Sequence, residues 1–550
     1  MVDLRAEYEK AGLPLADNID QLYPHQEEAV EWALSRPEPY LFVNAPTGSD
    51  KTLINTTAGV RAGLTWTYAV HTKMLQRQVA TTFQALPTFM GRGNFPCLIA
   101  DDTHPLQQNV TAADAICVMP GYERGDCEHD SVAKLEDKCP YYVQNYLAMS
   151  SPHRVVNYSL LLSYPPLTQD SPRRPPWMLP TRLLLCDEAH NVEQAVCDAT
   201  SLTLSRRTFQ TFKIKLPQYK DVMEWAAWAN ELMDSISDRI LTTGKNPKAG
   251  DLRGAATVVK TLEALSEITP DQAGNWMIGE DQWGITFQPV WGSPWVTQKL
   301  LGHSAAPSAG TLAELRASRG IVKGLFTSAT LMGADYVAEL LGLADGTWAY
   351  LDMPSVFPKS LRPVNYAPVM KMNAAAVADP NARSKMQAAV DKVVQHYVLA
   401  GRPWGIIHAV SNKYRDFLLT ESAWRGIMTA DVSEHERRVG AKDPSVLVAS
   451  NLTEGYDGKD DLCRFIIIPK VPYPNLGDRR TRLRMQEDGR SFDYHALVAV
   501  VQGAGRGVRH AQDFCDVWIL DGLWSMLYAK RKSWLPTSFK EAYHHNVQLP

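Results

Sequence analysis

Short, uninterrupted apolar runs recur along the first half of this chain, each followed by a turn and a stretch with helical spacing. PYLFVN (39–44) breaks into APTGSDKT and then LINTTAGVRAGL, which reads as strand, turn and helix. WTYAVHT (66–72), RVVNYSLLL (154–162), RLLLCDEAH (182–190) and GLFTSATL (324–331) repeat the buried-strand character. Strands apolar on both faces and separated by helices predict a parallel sheet covered on both sides. WGIIHAV (404–410), SVLVAS (445–450), RFIIIP (464–469) and DVWILD (516–521) predict a second such sheet. Between about 201 and 310 the texture changes, because Val222, Trp225, Trp228, Leu232, Ile236 and Ile240 fall three or four apart and mark a helical stripe. This predicts a mainly helical inserted module, with a loop over 242–254 and a Pro-rich surface loop over 171–180.

At 550 residues the chain is too long for one core, and roughly three to four domains are expected. With 45% apolar and 21% charged residues it is an ordinary globular sequence. Its 56 basic and 60 acidic side chains leave a net charge of −4, which excludes binding of polyanions by bulk attraction, so any nucleic-acid site must be a local groove. The N-terminal segment lacks the apolar run of a signal peptide, and no stretch has the length of a membrane span. A soluble, cytoplasmic, monomeric protein is expected. Eight cysteines are too few for a secreted disulfide scaffold, and in a reducing compartment they are free thiols or metal ligands.

The turn at 45–52 holds Ala45, Pro46, Thr47, Gly48, Ser49, Asp50, Lys51 and Thr52. A glycine-bearing turn between strand and helix aims backbone N–H groups and a helix N-terminus at phosphate oxygens. Lys51 is placed to reach the β and γ phosphates of ATP, and Thr52 to ligate Mg2+. The strand ending in Asp187 and Glu188 supplies the complementary chemistry, one carboxylate to hold magnesium and one to act as base or position water. Asp50 is anomalous, because it stands where such a loop wants its last glycine. A carboxylate about 4 Å from phosphate oxygens, at an effective dielectric near 20, costs about 4 kcal/mol before screening. Two alternatives stay open here: Asp50 depresses nucleotide affinity or turnover, or its side chain turns to solvent.

With these residues the chain resembles the XPD/DinG-like iron–sulfur helicases of helicase superfamily 2, over most of its length apart from the insert. HTKMLQRQ (71–78) is similar to the family's strand-contacting segment, VVNYSLLL (155–162) to its V-x-N-Y segment, CDEAHNVE (186–193) to its hydrolysis motif and TSATL (327–331) to its coupling motif. TEGYDGKDDL (453–462), with Gly455 and Asp457, followed by IIIPKVPYPN resembles the E-G-x-D and K-x-P-[FY]-P segments. VVQGAGRGVRH (500–510) resembles the Q-x-x-G-R-x-x-R motif, carrying Gln502, Arg506 and Arg509. The resemblance implies an α/β fold of two RecA-like parallel-sheet motor domains. The first comprises 1–90, 151–200 and 311–334, with a four-cysteine iron–sulfur unit (91–150) and a helical arch-like insert (201–310). Motor domain 2 spans 335–550. It also implies ATP-driven 5′-to-3′ movement on single-stranded DNA and unwinding of forked or tailed duplex; an ATPase-impaired strand-binding subunit and a non-unwinding translocase are the alternatives. Cations must reach a transferring phosphoryl group from across a cleft. Arg506 and Arg509, three apart, share a face with Gln502 if the segment is helical.

Cys97, Cys117, Cys127 and Cys139 stand 20, 10 and 12 positions apart. Four thiolates suit a 4Fe–4S cluster or a zinc ion, and paired C-x-x-C knuckles typical of zinc ribbons are absent. The flanks GRGNFPC and CPYY are similar to the family's cluster-binding segments, which favours iron–sulfur. Cys186, Cys197, Cys463 and Cys515 read as packing residues. Candidate strand contacts are Arg479, Arg480, Arg482 and Arg484, Lys530, Arg531 and Lys532, and the rings of Tyr122, Tyr141 and Tyr142, each also readable as a solvated or packed position. Tyr23 and Gln26 fall where the family places adenine recognition, without its usual arginine. His190 is a candidate transmitter of nucleotide state.

Overall fold

The computed structural model describes residues 3–16, 19–83, 85–98, 111–114, 127, 129, 138–163, 179–242, 249–301, 323–450, 456 and 458–550. Its strands are, in chain order, β1 (Tyr40–Asn44), β2 (Trp66–Val70), β3 (Thr88–Phe89), β4 (His153–Asn157), β5 (Leu183–Cys186), β6 (Leu202–Ser205), β7 (Trp276–Glu280), β8 (Gly284–Pro289), β9 (Lys323–Ser328) and β10 (Trp348–Asp352) in the first half. They continue with β11 (Val364–Met370), β12 (Trp404–His408), β13 (Met428–Thr429), β14 (Ser445–Ala449), β15 (Phe465–Ile468), β16 (Asp516–Asp521) and β17 (Tyr543–His544). Two seven-stranded sheets result, in the orders β10-β1-β9-β5-β2-β4-β3 and β13-β14-β12-β15-β16-β11-β17, and every pairing in both is parallel. The central strands β1, β2, β4, β5 and β9 are buried along their whole length, which is why they read as unbroken apolar runs.

Two expectations need correction. The first sheet does not end at residue 334: after the helix Ala334–Leu340 the chain returns to pair β10 with the open edge of β1, Tyr40 opposite Trp348 through Asn44 opposite Asp352. An unpaired edge leaves backbone N–H and C=O groups unsatisfied, and this strand supplies them; its mixed burial left no clear periodic signal. The insert is also not helix alone, because beside its helices β6, β8 and β7 form an antiparallel sheet that the pattern did not announce. Leu204, Ile285 and Phe287 cover the helix Val222–Thr242, whose Trp225 meets Phe287 edge-on at 5.3 Å. The second insert helix begins at Ala249, inside the span expected as a loop.

The two lobes are joined along an apolar and aromatic seam. One contiguous core runs from Phe42 and Phe326 through Tyr336 and Tyr494 to Val517 and Ile519. Tyr336 stacks on Trp534 with ring centroids 5.1 Å apart, and Tyr494 meets Tyr336 edge-on at 5.5 Å. Beside this seam lies a buried ion pair. Arg484, in the helix Arg479–Glu487, donates to both carboxylate oxygens of Glu193 at 2.7 and 3.1 Å and to the Val290 carbonyl at 2.6 Å. Only 5% of the Arg484 side chain and 8% of that of Glu193 are exposed. Gly292 N–H donates to Glu193 at 2.6 Å, and the guanidinium lies over the Trp291 ring at 4.7 Å. The second lobe is thus fixed both to the insert and to the helix Val192–Thr200.

Taking away one member of such a pair strands a buried charge. Arg484→Met is expected to cost about 3–5 kcal/mol, seen as a lower urea midpoint. Adding Glu193→Gln, which can still accept from Gly292, should recover most of the loss. Equal midpoints for the single and double variants would show that the pair is not the constraint.

Candidate functional site

The loop 45–50 leaves β1 and enters the helix Lys51–Ala62. Gly48 has φ +86°, and a Cβ there would lie 2.4 Å from the Phe357 ring, so the turn requires glycine. Ala45, Pro46 and Ser49 are buried, whereas Gly48 and Asp50 face solvent. Asp50 adopts the left-handed conformation (φ 52°), and its Oδ1 caps the helix by accepting from Leu53 N–H at 3.2 Å. The residue is exposed as a whole, but its carboxylate is not loose: burial raises its pKa, and it occupies an amide of the first helical turn, where an anion would also bind.

Asp187 and Glu188 follow β5 at the same edge. Lys51 Nζ lies 3.8 Å from Glu188 Oε1. The buried Tyr68 hydroxyl donates to Asp187 Oδ2 at 3.0 Å and lies 3.4 Å from Thr52 Oγ1, whose hydroxyl can donate to it, so it spans the two residues expected to hold magnesium. Burial first, and then the neighbouring Glu188 carboxylate, push the Asp187 pKa up to about 6, against the pull of Lys51 and of the Glu188 N–H. Glu188 itself sits at φ 47°, a costly conformation for a non-glycine residue.

From Glu188 a chain of hydrogen bonds crosses to the second lobe. Gln502 Nε2 donates to His190 Nε2 at 2.8 Å, which leaves the proton on Nδ1. Nδ1–H donates to Ser328 Oγ at 2.8 Å, and Ser328 donates to Glu188 Oε2 at 3.1 Å. Gln502 also reaches Thr330 Oγ1 at 3.5 Å, and Thr330 N–H donates to Ser328. Ser328, Thr330 and Tyr68 are the residues that sequence reasoning left unassigned. TSATL marked the first two only as members of a coupling motif, with no role for either side chain, and Tyr68 looked like any residue of a buried strand.

Gln502 lies in the last turn of the helix Gly489–Ala504, but Arg506 and Arg509 lie beyond its end, so the shared helical face expected for the three is absent. The loop does reach the phosphate side: a Cβ on Gly505 would lie 3.1 Å from Thr47 Oγ1. Arg506 Nη1 donates to the Tyr456 carbonyl at 3.0 Å, and Arg509 N–H to the buried Asp513 at 3.1 Å. His408, packed under Gly503, is held neutral, its pKa lowered to about 4 by burial and by Arg506. Gly455 and Asp457 lie outside the described residues.

Gln26 is buried with both ends of its amide engaged. Nε2 donates to the Ser49 carbonyl at 3.1 Å and Oε1 accepts from Tyr23 N–H at 2.8 Å, so it braces the loop. The basic segments expected on a nucleic acid mostly grip protein instead: Arg479 donates to the Ile278 carbonyl, Arg480 pairs with Asp198 at 3.6 Å and Arg484 with Glu193. Lys530 and Arg531 converge on Asp493 at 2.7 and 2.9 Å. Tyr141 is buried beneath Arg92 at 4.4 Å, and Tyr142 packs edge-on against it. Cys117 and Tyr122 lie outside the described residues. Cys127 and Cys139 are buried and Cys97 is partly exposed. Cys139 N–H donates to the His129 carbonyl at 3.1 Å, and Phe95 meets Tyr141 edge-on at 6.0 Å, so the segments bearing these thiols adjoin. A thiol set of this kind suits a thiophilic metal group.

A helicase C-terminal domain model matches residues 407–542. The chain is 28% identical over 122 residues to the ATP-dependent DNA helicase CHL1 of Vanderwaltozyma polyspora, 18% of this chain and 15% of that one. It is 32% identical over 91 residues to the ATP-dependent DNA helicase XPD of Sulfolobus acidocaldarius, 14% of this chain and 16% of that one. The matched stretches thus span about a sixth of these relatives' length. In fold, the chain is similar to a solved XPD helicase structure with TM-score 0.57 and 17% identity, covering 94% of this chain and 98% of that one. The S. tokodaii Xpd4 structure gives TM-score 0.51 at 12% identity over 92% and 97%. The two-lobed fold is thus similar to that of the XPD structures, and its second lobe carries the match to a helicase C-terminal domain. Among the described residues, no helix is long and apolar enough to cross a membrane.

A carboxyl whose pKa is raised in the fold contributes stability below its unfolded value, near 4, and loses it as pH rises to about 6. Asp187→Asn, neutral at every pH, should therefore gain more in thermal midpoint over the parent chain at pH 8 than at pH 5. An equal difference at the two pH values would contradict the raised pKa.

Proposed function

We propose that this chain is an ATP-dependent DNA helicase that moves along single-stranded DNA, 5′ to 3′ by its resemblance, and separates forked or tailed duplex. The observation that carries the reading is the unbroken hydrogen-bonded chain from Gln502 of the second lobe to Glu188 of the first. A catalytic carboxylate wired to the opposite lobe is what coupling of hydrolysis to lobe movement requires. The names of the matched relatives support the same activity.

In this reading Lys51 draws charge from the β and γ phosphates, Thr52 and Asp187 hold magnesium, and Glu188 orients the attacking water. Arg506 and Arg509 bring positive charge to the transferring group as the cleft closes, with Gly505 already against Thr47. Cys97, Cys117, Cys127 and Cys139 would hold a 4Fe–4S cluster, whose contribution is to brace a unit too small to supply its own core. The rival favoured by Asp50 is a strand-binding subunit that does not hydrolyse ATP, since its carboxylate competes for the helix N-terminus.

DNA-stimulated phosphate release is expected from the full chain and is expected to vanish in Lys51→Ala; its absence from the parent chain favours the rival. Asp50→Gly should tighten nucleotide binding by at least tenfold, the order set by removing a like charge at about 4 Å. Equal nucleotide affinity in the two chains would remove the role given to Asp50. Iron and sulfide should be stoichiometric, with broad absorbance near about 400 nm; stoichiometric zinc would exclude the cluster.

A further inference from the structure

A cavity of about 460 Å³ opens between the second lobe and the insert, away from the nucleotide loop. Its size falls among small-molecule sites, about 300–1,000 Å³. Gln194 and Asp198 line it from the helix Val192–Thr200, Gln288 from β8, and Phe492 and His495 from the helix Gly489–Ala504. The charges around it are already matched. Arg484 is committed to Glu193, Arg480 faces Asp198, and Asp478 caps its own helix at Thr481 N–H. Such a wall has little net charge to draw in a phosphate.

Neutral hydrogen-bonding groups remain. His495 is held neutral, its pKa lowered to about 4 by burial and by Arg484. Among the described residues, neither its imidazole nor the Gln288 amide has a hydrogen-bond partner. Phe492 is half-buried and stacked on Tyr473, centroids 4.7 Å apart and planes within 16°, which makes an aromatic platform at the cavity wall. An aromatic face beside neutral groups that both donate and accept is the chemistry of a nucleobase site.

We propose that this cavity receives one unstacked base of the bound single strand, its face on Phe492 and its edge toward Gln288 and His495. The proposal rests on the single-strand reading above and adds where a base is held. The cavity also borders the Arg484–Glu193 pair, on the helix that directly follows Glu188 and His190, so a base lodged there adjoins the catalytic segment through one rigid element.

The test uses the full chain and single-stranded oligonucleotides carrying 4-thiothymidine at each position in turn, with free 4-thiouridine as a separate arm. Irradiation followed by peptide mapping should give cross-links to the peptides bearing Gln288 or residues 491–495 from oligonucleotides. Gln288→Ala, on a partly exposed strand position, should reduce that yield at least fivefold. Phe492→Leu should weaken binding of unmodified strand at least about fivefold, as expected for a lost stacking partner. Strand binding with cross-links only elsewhere overturns the cavity assignment and leaves the helicase reading standing. Equal labelling of the cavity by free 4-thiouridine also overturns it, in favour of a second nucleotide site. No binding of unmodified strand, read by fluorescence anisotropy, overturns both.

Discussion

The arrangement of this molecule turns on one buried ion pair. Arg484 and Glu193 lie almost wholly out of water, where each charge is tolerable only against the other, and their bidentate geometry admits a narrow range of lobe placements. An apolar pair of similar size could be as stable, so the value of the pair lies in the register it imposes. Once the helix Arg479–Glu487 is fixed to the helix Val192–Thr200, the neighbouring helix brings Gln502 within hydrogen-bond reach of His190, and its end brings Gly505 against Thr47. The stacking of Tyr336 on Trp534 completes the seam with apolar area.

Within that frame the nucleotide site is electrostatically unbalanced by itself. Asp187 and Glu188 share an edge with one lysine; burial, and then the Glu188 charge, raise the pKa of Asp187, and Glu188 is held at positive φ. A divalent cation between Thr52 and Asp187 would relieve the first of these, and Tyr68 already holds the two side chains in line. Asp50 adds a third carboxylate at the loop. Its cap on Leu53 N–H shows how the chain accommodates an acid where the motif wants glycine: the left-handed backbone is kept, and the side chain satisfies an amide that phosphate would otherwise attract.

Much of the fold was legible because buried parallel strands announce themselves. Each run read as a strand from apolar continuity alone contributes a strand to one of the two parallel sheets, although the run over 154–162 leaves its strand at Asn157 and continues as the helix Tyr158–Ser163. Other strands escaped notice, among them Trp348–Asp352, Val364–Met370 and the three of the insert; they are only partly buried, so their pattern is mixed. Lys51, Asp187, Glu188 and Gln502 could be found because their chemistry sits in short local spacings. Ser328 and Tyr68 could not be assigned, because their partners are more than a hundred residues away. The arginine-rich 479–484 segment misled for the same reason: a row of cations looks alike whether it faces a polyanion or Glu193, Asp198 and the Ile278 carbonyl.

The sequence by itself determined two sheets, a phosphate-type turn and the pair of acids, since backbone propensity, apolar periodicity and motif spacing are all local properties. Tertiary structure alone decided which cations are spent on protein, that Arg506 and Arg509 leave the helix, and that Gln502 closes a circuit to Glu188. Those outcomes depend on through-space distances of a few ångströms between residues far apart in the chain, and hydrogen bonds and ion pairs are set by such distances rather than by order along it.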